Sequence, residues 1–61
     1  MIYKFIKTGN LYKILEDNAE MKDPTTRNWI KCVIYQSLET DKIYVREIQD
    51  FNKKFEIWKE R

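Results

Sequence analysis

Bulky apolar residues fall in short runs separated by polar turn residues, a pattern typical of a small antiparallel sheet. Residues 2–6 (IYKFI) and 11–15 (LYKIL) are rich in β-branched and aromatic side chains, which suit a pleated, half-buried surface. The segment between them contains Gly9 and Asn10, where a backbone with positive φ costs least. Because this connection is so short, we expect the two strands to form an antiparallel hairpin.

Two further strands are predicted in the second half of the chain. Residues 29–38 (WIKCVIYQSL) alternate so that every second residue from Ile30 faces one side, with bulky groups on the other side as well. Such a strand fits a central position. A polar turn of hairpin length, residues 39–42, leads into a fourth strand at residues 43–47 (IYVRE), in which Ile43 and Val45 are predicted to face the core.

The remaining two segments leave more room for interpretation. Residues 16–28 are mostly polar and contain Asp23-Pro24, so we expect a long loop there, either a mobile connector or a functional one. Residues 48–58 satisfy both a helical and a strand spacing. We prefer one helical turn over residues 48–51 followed by a fifth strand over residues 54–58, which would pair with residues 2–6, to one continuous helix.

These elements predict a mainly β fold within a single domain, residues 1–61. The preferred architecture is a small SH3-like barrel of four to five antiparallel strands with one short helical turn near the C-terminus, because closing the sheet removes exposed edges. A four-stranded meander with one helix packed across a face is the alternative. The predicted core is formed by Phe5, Ile14, Ile30, Cys32, Ile34, Val45 and Phe51.

Composition argues against catalysis and against a metal or cofactor site. The 61 residues contain no histidine and one cysteine, so neither a Ser-His or Cys-His pair nor a Cys-rich zinc site can be built. The acidic residues of the 16–28 segment have nothing to bury them or raise a pKa. We expect no enzyme activity, no cofactor and no metal. Cys32 lies among apolar neighbours, and a buried thiol fits a reducing, cytoplasmic location, the host cytoplasm if the gene is phage-borne.

Charge is distributed unevenly along a chain whose net charge is only +2. Residues 1–15 carry three lysines and no acidic residue, and residues 51–61 have a net charge of +2. If the first and last strands pair, these charges fall on one side and could attract an anionic partner such as nucleic acid. The alternative interpretation is that lysines alternating along the strands only keep the outer surface soluble.

Aromatic and basic side chains are the candidate binding residues. Arg46 lies beside Tyr44, where its guanidinium could stack on a ring, bind an anion, or form an ion pair within the sheet. Trp29, at the boundary between polar loop and strand, could anchor a partner or cover the core. The full set of candidates is Arg46, Tyr44, Trp29, Tyr12, Tyr35, Trp58, Lys4 and Lys13.

Four segments resemble a small domain of unknown function found in short bacterial and phage proteins. They are KTGNLYKIL (residues 7–15), VIYQS (33–37), KIYVRE (42–47) and DFNKKF (50–55). Many members of that family have proline after the Val-Arg pair, where this chain has Glu47. The resemblance implies a β-rich fold and a phage or mobile-element origin, and it implies no activity.

Three functions follow as hypotheses. The first is a non-enzymatic binding module, a phage or mobile-element accessory protein that binds a host protein, with inhibition of that protein as one outcome. The second is a sequence-tolerant nucleic-acid-binding domain that uses the basic side. The third is a small-molecule binder whose pocket forms in a dimer. We expect a monomer or homodimer and no membrane association, since no apolar run approaches a membrane span.

Overall fold

A computed structural model describes residues 1–59 and shows five strands and one short helix. In chain order these are β1 (Ile2–Phe5), β2 (Leu11–Lys22), β3 (Trp29–Ser37), β4 (Ile43–Glu47), α1 (Ile48–Lys54) and β5 (Phe55–Ile57). The mainly β class, the first hairpin, the fourth strand and the helix-then-strand ending predicted from the sequence are confirmed. The helix has seven residues, longer than the single turn expected.

All five strands form one antiparallel sheet in the order β4-β3-β2-β1-β5. The predicted pairing of the first and last strands is confirmed, with Phe5 opposite Phe55 and Tyr3 opposite Ile57. The sheet is not closed, because β4 and β5 stand at its two ends. An SH3-like barrel is therefore not confirmed. Instead, α1 carries the chain across one face of the sheet, from the β4 edge to the β5 edge.

The core lies between the sheet and α1, on what we call the helix-side face. Val33, Tyr35, Phe51 and Phe55 are buried there. The rings of Phe51 and Phe55 stack with centroids 4.2 Å apart and planes within 8° of parallel. Burial of such aromatic side chains supplies most of the hydrophobic stabilisation available to so short a chain.

The predicted core was partly wrong about which face of the sheet is covered. Phe5 and Ile14 pack against the core and Phe51 belongs to it. However, Val45 is 54% exposed and Ile43 is 60% exposed, because both lie on the opposite, open face. The residues that α1 covers lie on the same face of the sheet as Val33 and Tyr35.

Cys32, by contrast, is buried as predicted, although it also lies on the open face, opposite Ala19 of β2. Its neighbours on β3, Ile30 and Ile34, are only partly buried.

The predicted loop at residues 16–28 was also wrong, because β2 continues to Lys22 and only residues 23–28 turn. Two irregularities in the pairing with β3, around Leu15 and residues 17–18, absorb the extra residues. Beyond Ala19, β2 and β3 pair without a third strand, and we call this two-stranded hairpin, residues 20–31, the arm. A twelve-residue strand spans about 40 Å, which matches the molecule's longest extent of 43 Å.

Two local features fix the turns that matter for the site. Gly9 has φ +79°, and its N–H donates to the Phe5 carbonyl at 2.7 Å, which closes the predicted turn. Glu47 caps α1 by accepting hydrogen bonds from the N–H groups of Gln49 and Asp50. A carboxylate at this position satisfies donors that the helix leaves free, and this cap defines the corner after Arg46.

Candidate binding site

A pocket floored by aromatic rings opens on the helix-side face, between β4 and β5. Its volume is about 160 Å³. The rings of Tyr12 and Tyr35 meet edge to face at 5.4 Å, while Tyr35 and Tyr44 stack at 5.7 Å. The residues lining this aromatic pocket are Phe5, Tyr12, Tyr35, Tyr44, Arg46 and Phe55. Strand alternation puts all six on one face, and the twist of the sheet brings its two edges towards each other.

Arg46 occupies the side of this pocket nearest to α1. Its Nε–H donates to Tyr35 Oη at 3.0 Å, and its Nη1 donates to Asp50 Oδ2 at 2.6 Å. The guanidinium carbon lies 5.5 Å from the ring centre of Phe55 and 5.8 Å from that of Phe5. The hydrogen bond to Tyr35, then that to Asp50, raises the pKa of Arg46, so it stays charged.

The ion pair of Arg46 also acts on its partner. The Arg46 guanidinium, followed by the Lys54 ammonium at 3.2 Å, lowers the pKa of Asp50 below its ordinary value of 3.8. The sequence left open whether Arg46 would form an ion pair within the sheet; the structure instead pairs it with Asp50 of α1.

A second, wider cleft adjoins the aromatic pocket and shares Phe5 and Arg46 with it. It has a volume of about 370 Å³ and lies between the turn after β1 and the end of α1. We call it the basic cleft, because four of its six lining residues are cationic: Lys7, Arg46, Lys53 and Lys54, with Phe5 and Ile6 as the apolar wall. Asp50 is paired with two of these cations.

The structure brings together half of the residues that the sequence singled out. Tyr12, Tyr35, Tyr44 and Arg46 all line the aromatic pocket. Tyr35 is only 3% exposed, so it supports the pocket and belongs to the core. Tyr44 is 41% exposed and can be reached by a partner.

The other four candidates lie elsewhere. Trp29 is on the arm, 64% exposed, with the Lys22 ammonium 5.9 Å from its ring centre. Trp58 follows β5, and its N–H donates to the Ile2 carbonyl. Lys4 and Lys13 lie on the open face, where Lys4 pairs with Glu56 at 3.0 Å.

The basic side expected from the paired chain ends is therefore divided between two faces. Lys4 and Lys13 are on the open face, whereas Lys7, Lys53 and Lys54 surround the basic cleft. Glu60 and Arg61, which entered the sequence-based charge count, lie outside the described residues.

Sequence reasoning missed the contribution of Phe5, Lys7, Lys53, Lys54 and Phe55 to these sites. Phe5 and Phe55 were assigned to strands that pair, and that pairing puts both rings next to Arg46. The two lysines at the end of α1 follow from a helix that reaches Lys54. The pairing of the first and last strands places the end of α1 beside the turn that contains Gly9. Lysines lie in both segments, and this proximity could have predicted the basic cleft.

The free edge of β4 is a different kind of surface. Ile43, Tyr44 and Val45 are all exposed, and β4 has no neighbour on the side away from β3. On the open face, Val45 lies directly opposite Ile34, and Met21 lies opposite Ile30 further along the arm. An exposed, apolar strand edge is available for pairing with another chain.

Within residues 1–59 there is no group of three or more side chains placed to hold a metal ion, and no helix with the length and hydropathy of a membrane span. Comparison of the chain with protein-family models, with curated proteins and with solved structures gave no match.

Proposed function

We propose that this protein is a non-enzymatic binding module that captures an extended segment of a host protein along the edge of β4. The observation that carries the proposal is the exposed run Ile43, Tyr44 and Val45 at an unpaired strand edge. In this mode of recognition, main-chain hydrogen bonds supply affinity, and alternate side chains supply specificity.

The hydrogen-bond phase of β4 supports such pairing. Ser37 N–H donates to the Lys42 carbonyl at 2.9 Å, so this pair is hydrogen-bonded across the hairpin. Opposed pairs in an antiparallel ladder alternate between bonded and non-bonded. The backbone groups of Tyr44 and Arg46 therefore point to β3, whereas those of Ile43 and Val45 point outwards to an added strand.

The side chains of β4 would contact that added strand on both faces. Ile43 and Val45 offer an apolar surface on the open face, and Tyr44 offers a half-exposed ring beside the aromatic pocket. The first three residues of this edge, Ile43 to Val45, include no charged residue or proline, the usual devices that prevent edge pairing, and the charged Arg46 and Glu47 end the strand. The opposite edge, β5, is only three residues long, and short edges are poor templates.

The resemblance to small phage and bacterial proteins favours a phage or mobile-element accessory role, and inhibition of the bound host protein is one outcome of such binding. The relation of this fold to SH3-like barrels stays a prediction, because the five strands form a single sheet that is not closed.

The test is affinity capture of host proteins by the immobilised full chain and two variants. Val45→Lys places a charge on the β4 edge, and Ile57→Lys is its matched control, since Ile57 is 50% exposed on the opposite edge. We expect a saturable partner to bind wild type and Ile57→Lys and to be lost with Val45→Lys. Both changes are at exposed positions, so both variants should stay folded.

Amide exchange gives a second, direct readout once a partner is captured. The outward N–H groups of Ile43 and Val45 should exchange more slowly in the complex than in the free protein. Loss of binding with both variants, retention with Val45→Lys, or capture of no saturable partner would each contradict edge recognition.

A further inference from the structure

We propose that the basic cleft binds the phosphate and ring of a nucleotide, either free or within a single strand. This site is separate from the free edge of β4, and the inference does not rest on the proposed capture of a protein segment. It comes from the coincidence of excess positive charge, a flat apolar wall and sufficient volume on one side of the molecule.

The charge in the cleft exceeds what the fold itself neutralises. Among residues 1–59, Asp50 is the carboxylate that pairs with the cleft cations, and it contacts only Arg46 and Lys54. Within the same part of the chain, Lys7 and Lys53 form no salt bridge. Lysines in the last turn of α1 complement the helix dipole. That effect does not explain why Lys7, on the turn after β1, lies in the same cleft.

The kind of anion follows from the donors that remain. Arg46 commits two of its five N–H donors, one to Tyr35 and one to the Asp50 carboxylate. The lysine ammonium ions of the cleft act as mobile point charges and suit a phosphate group. A phosphate monoester also carries more negative charge than a carboxylate near neutral pH.

The apolar wall of the cleft is the surface on which the ring of the nucleotide binds. Phe5 presents a ring, Ile6 is 54% exposed beside it, and the Arg46 guanidinium lies over the Phe5 ring. A nucleobase can stack on such aromatic and guanidinium surfaces whatever its sequence. The volume of about 370 Å³ lies within the range of small-ligand sites.

The test is a titration of the ¹⁵N-labelled full chain with adenosine monophosphate, inorganic phosphate, adenosine and a short oligothymidylate. We expect saturable chemical-shift changes at Phe5, Ile6, Lys7 and Lys53, with the monophosphate binding at least about threefold more tightly than phosphate or adenosine alone. Binding should weaken as salt is raised, because phosphate contacts are electrostatic.

Two variants of the cleft and two controls outside it separate this site from general surface charge. Lys7→Gln and Lys53→Gln should each weaken monophosphate binding by about three- to tenfold. The controls Lys13→Gln, on the open face, and Val45→Lys, on the β4 edge, should leave it unchanged. If the oligonucleotide binds more tightly than the monophosphate and with a steeper salt dependence, the ligand is a strand; if the two bind equally, it is a free nucleotide.

Three outcomes would overturn the proposal. They are the absence of a saturable shift up to about 10 mM ligand, well beyond a millimolar dissociation constant, equal affinity for phosphate and the monophosphate, and equal weakening by Lys7→Gln and Lys13→Gln. Because Val45→Lys is the variant expected to abolish edge capture, nucleotide binding by that variant tests the two sites independently.

Discussion

At the scale of single residues, Arg46 joins β4 to α1 and to the rings of the opposite edge. Its hydrogen bond to Tyr35 matters most, because Tyr35 is 3% exposed and its hydroxyl needs a partner. Replacing Arg46 with Met should lower the free energy of unfolding by about 1–3 kcal/mol, the usual cost of leaving a buried polar group unpaired. Urea unfolding measures this loss.

A double-mutant cycle distinguishes that mechanism from loss of packing. Tyr35→Phe removes the hydroxyl, so Arg46→Met should cost about 1 kcal/mol less in the Tyr35→Phe background than in wild type. If the two substitutions were additive, the hydrogen bond to Tyr35 would contribute nothing, and the contacts of the guanidinium with Phe5, Phe55 and Asp50 would account for the whole effect.

Asp50 makes stability depend on pH at the acidic end. Its pKa is lowered in the folded protein by Arg46 and then by Lys54, whereas in the unfolded chain it returns to about its ordinary value of 3.8. The stabilisation is therefore complete above that ordinary value and is lost as the pH falls through the lower, folded-state pKa. We expect the midpoint of thermal unfolding to fall more steeply below pH 4 in wild type than in Asp50→Asn.

Asp23 supplies the comparison for this pH effect. Backbone donation, chiefly from Thr25, lowers its pKa at the tip of the arm. Asp23→Asn should also flatten the acid dependence, but added salt should weaken the Asp50 effect more, because that effect depends on ion pairs at the surface. An acid dependence that is identical in wild type and Asp50→Asn would refute the role of Asp50.

At the scale of elements, the arm should be the least stable part of the sheet. Its two strands have no third strand beside them, and a lone hairpin is marginally stable in water. Cross-strand pairs such as Glu20 opposite Lys31 contribute only fractions of a kcal/mol. Amides of residues 20–31 should therefore exchange with solvent on the order of tenfold or more faster than those of residues 33–36.

A substitution in the arm provides the control for that exchange experiment. Trp29→Ala removes the contact with Lys22 and should raise exchange in the arm while leaving the amides near Val33 and Tyr35 unchanged. Uniform exchange across β2 and β3 would show instead that the arm opens only when the whole domain unfolds.

The arm also shows where sequence reasoning failed at this scale. Residues 18–22 alternate polar and apolar, with Ala19 and Met21 on one side, which is a strand pattern. It was outweighed by the polar composition and by Asp23-Pro24. Polar side chains are compatible with this part of β2 because both faces of the arm are exposed to solvent. Pairing with β3, not burial, stabilises it. The polar composition of residues 18–22 correctly indicates that they are not buried. A strand at the end of a long hairpin can form without being buried, so composition alone could not exclude it.

The candidate site was predicted unevenly for a similar reason. Tyr12, Tyr44 and Arg46 were identified because aromatic and guanidinium groups are distinctive in any position. Their assignment to one face required the choice of which side of β4 faces the core, and Ile43 and Val45 favoured the wrong side. Hydrophobicity alone could not decide, since both faces of β4 carry large side chains. The covered face is determined by α1, because its Phe51 packs on the face that carries more aromatic rings.

At the scale of the whole molecule, the stability of the fold depends on the few residues of β5. β5 has three residues, yet Phe55 is 5% exposed and its ring contacts those of Phe5, Tyr12, Tyr35 and Phe51. Loss of a buried Phe costs about 3–5 kcal/mol, which is comparable with the total stability expected of a domain of this size. The fold therefore depends on its last strand far more than on its arm.

Truncation tests this dependence. A chain that ends at Lys54 lacks Phe55 and the pairing of β5 with β1, so it should lose cooperative unfolding and amide shift dispersion. A chain that ends at Trp58 keeps β5 and the hydrogen bond from Trp58 to Ile2, and it should unfold cooperatively with little loss of stability. As a control that removes even more of the chain, replacing residues 20–31 with a two-residue Asn-Gly turn should leave the body folded. A cooperative transition in the chain ending at Lys54 would show that β1 to β4 and α1 suffice, and that the contact between the chain's first and last strands is dispensable.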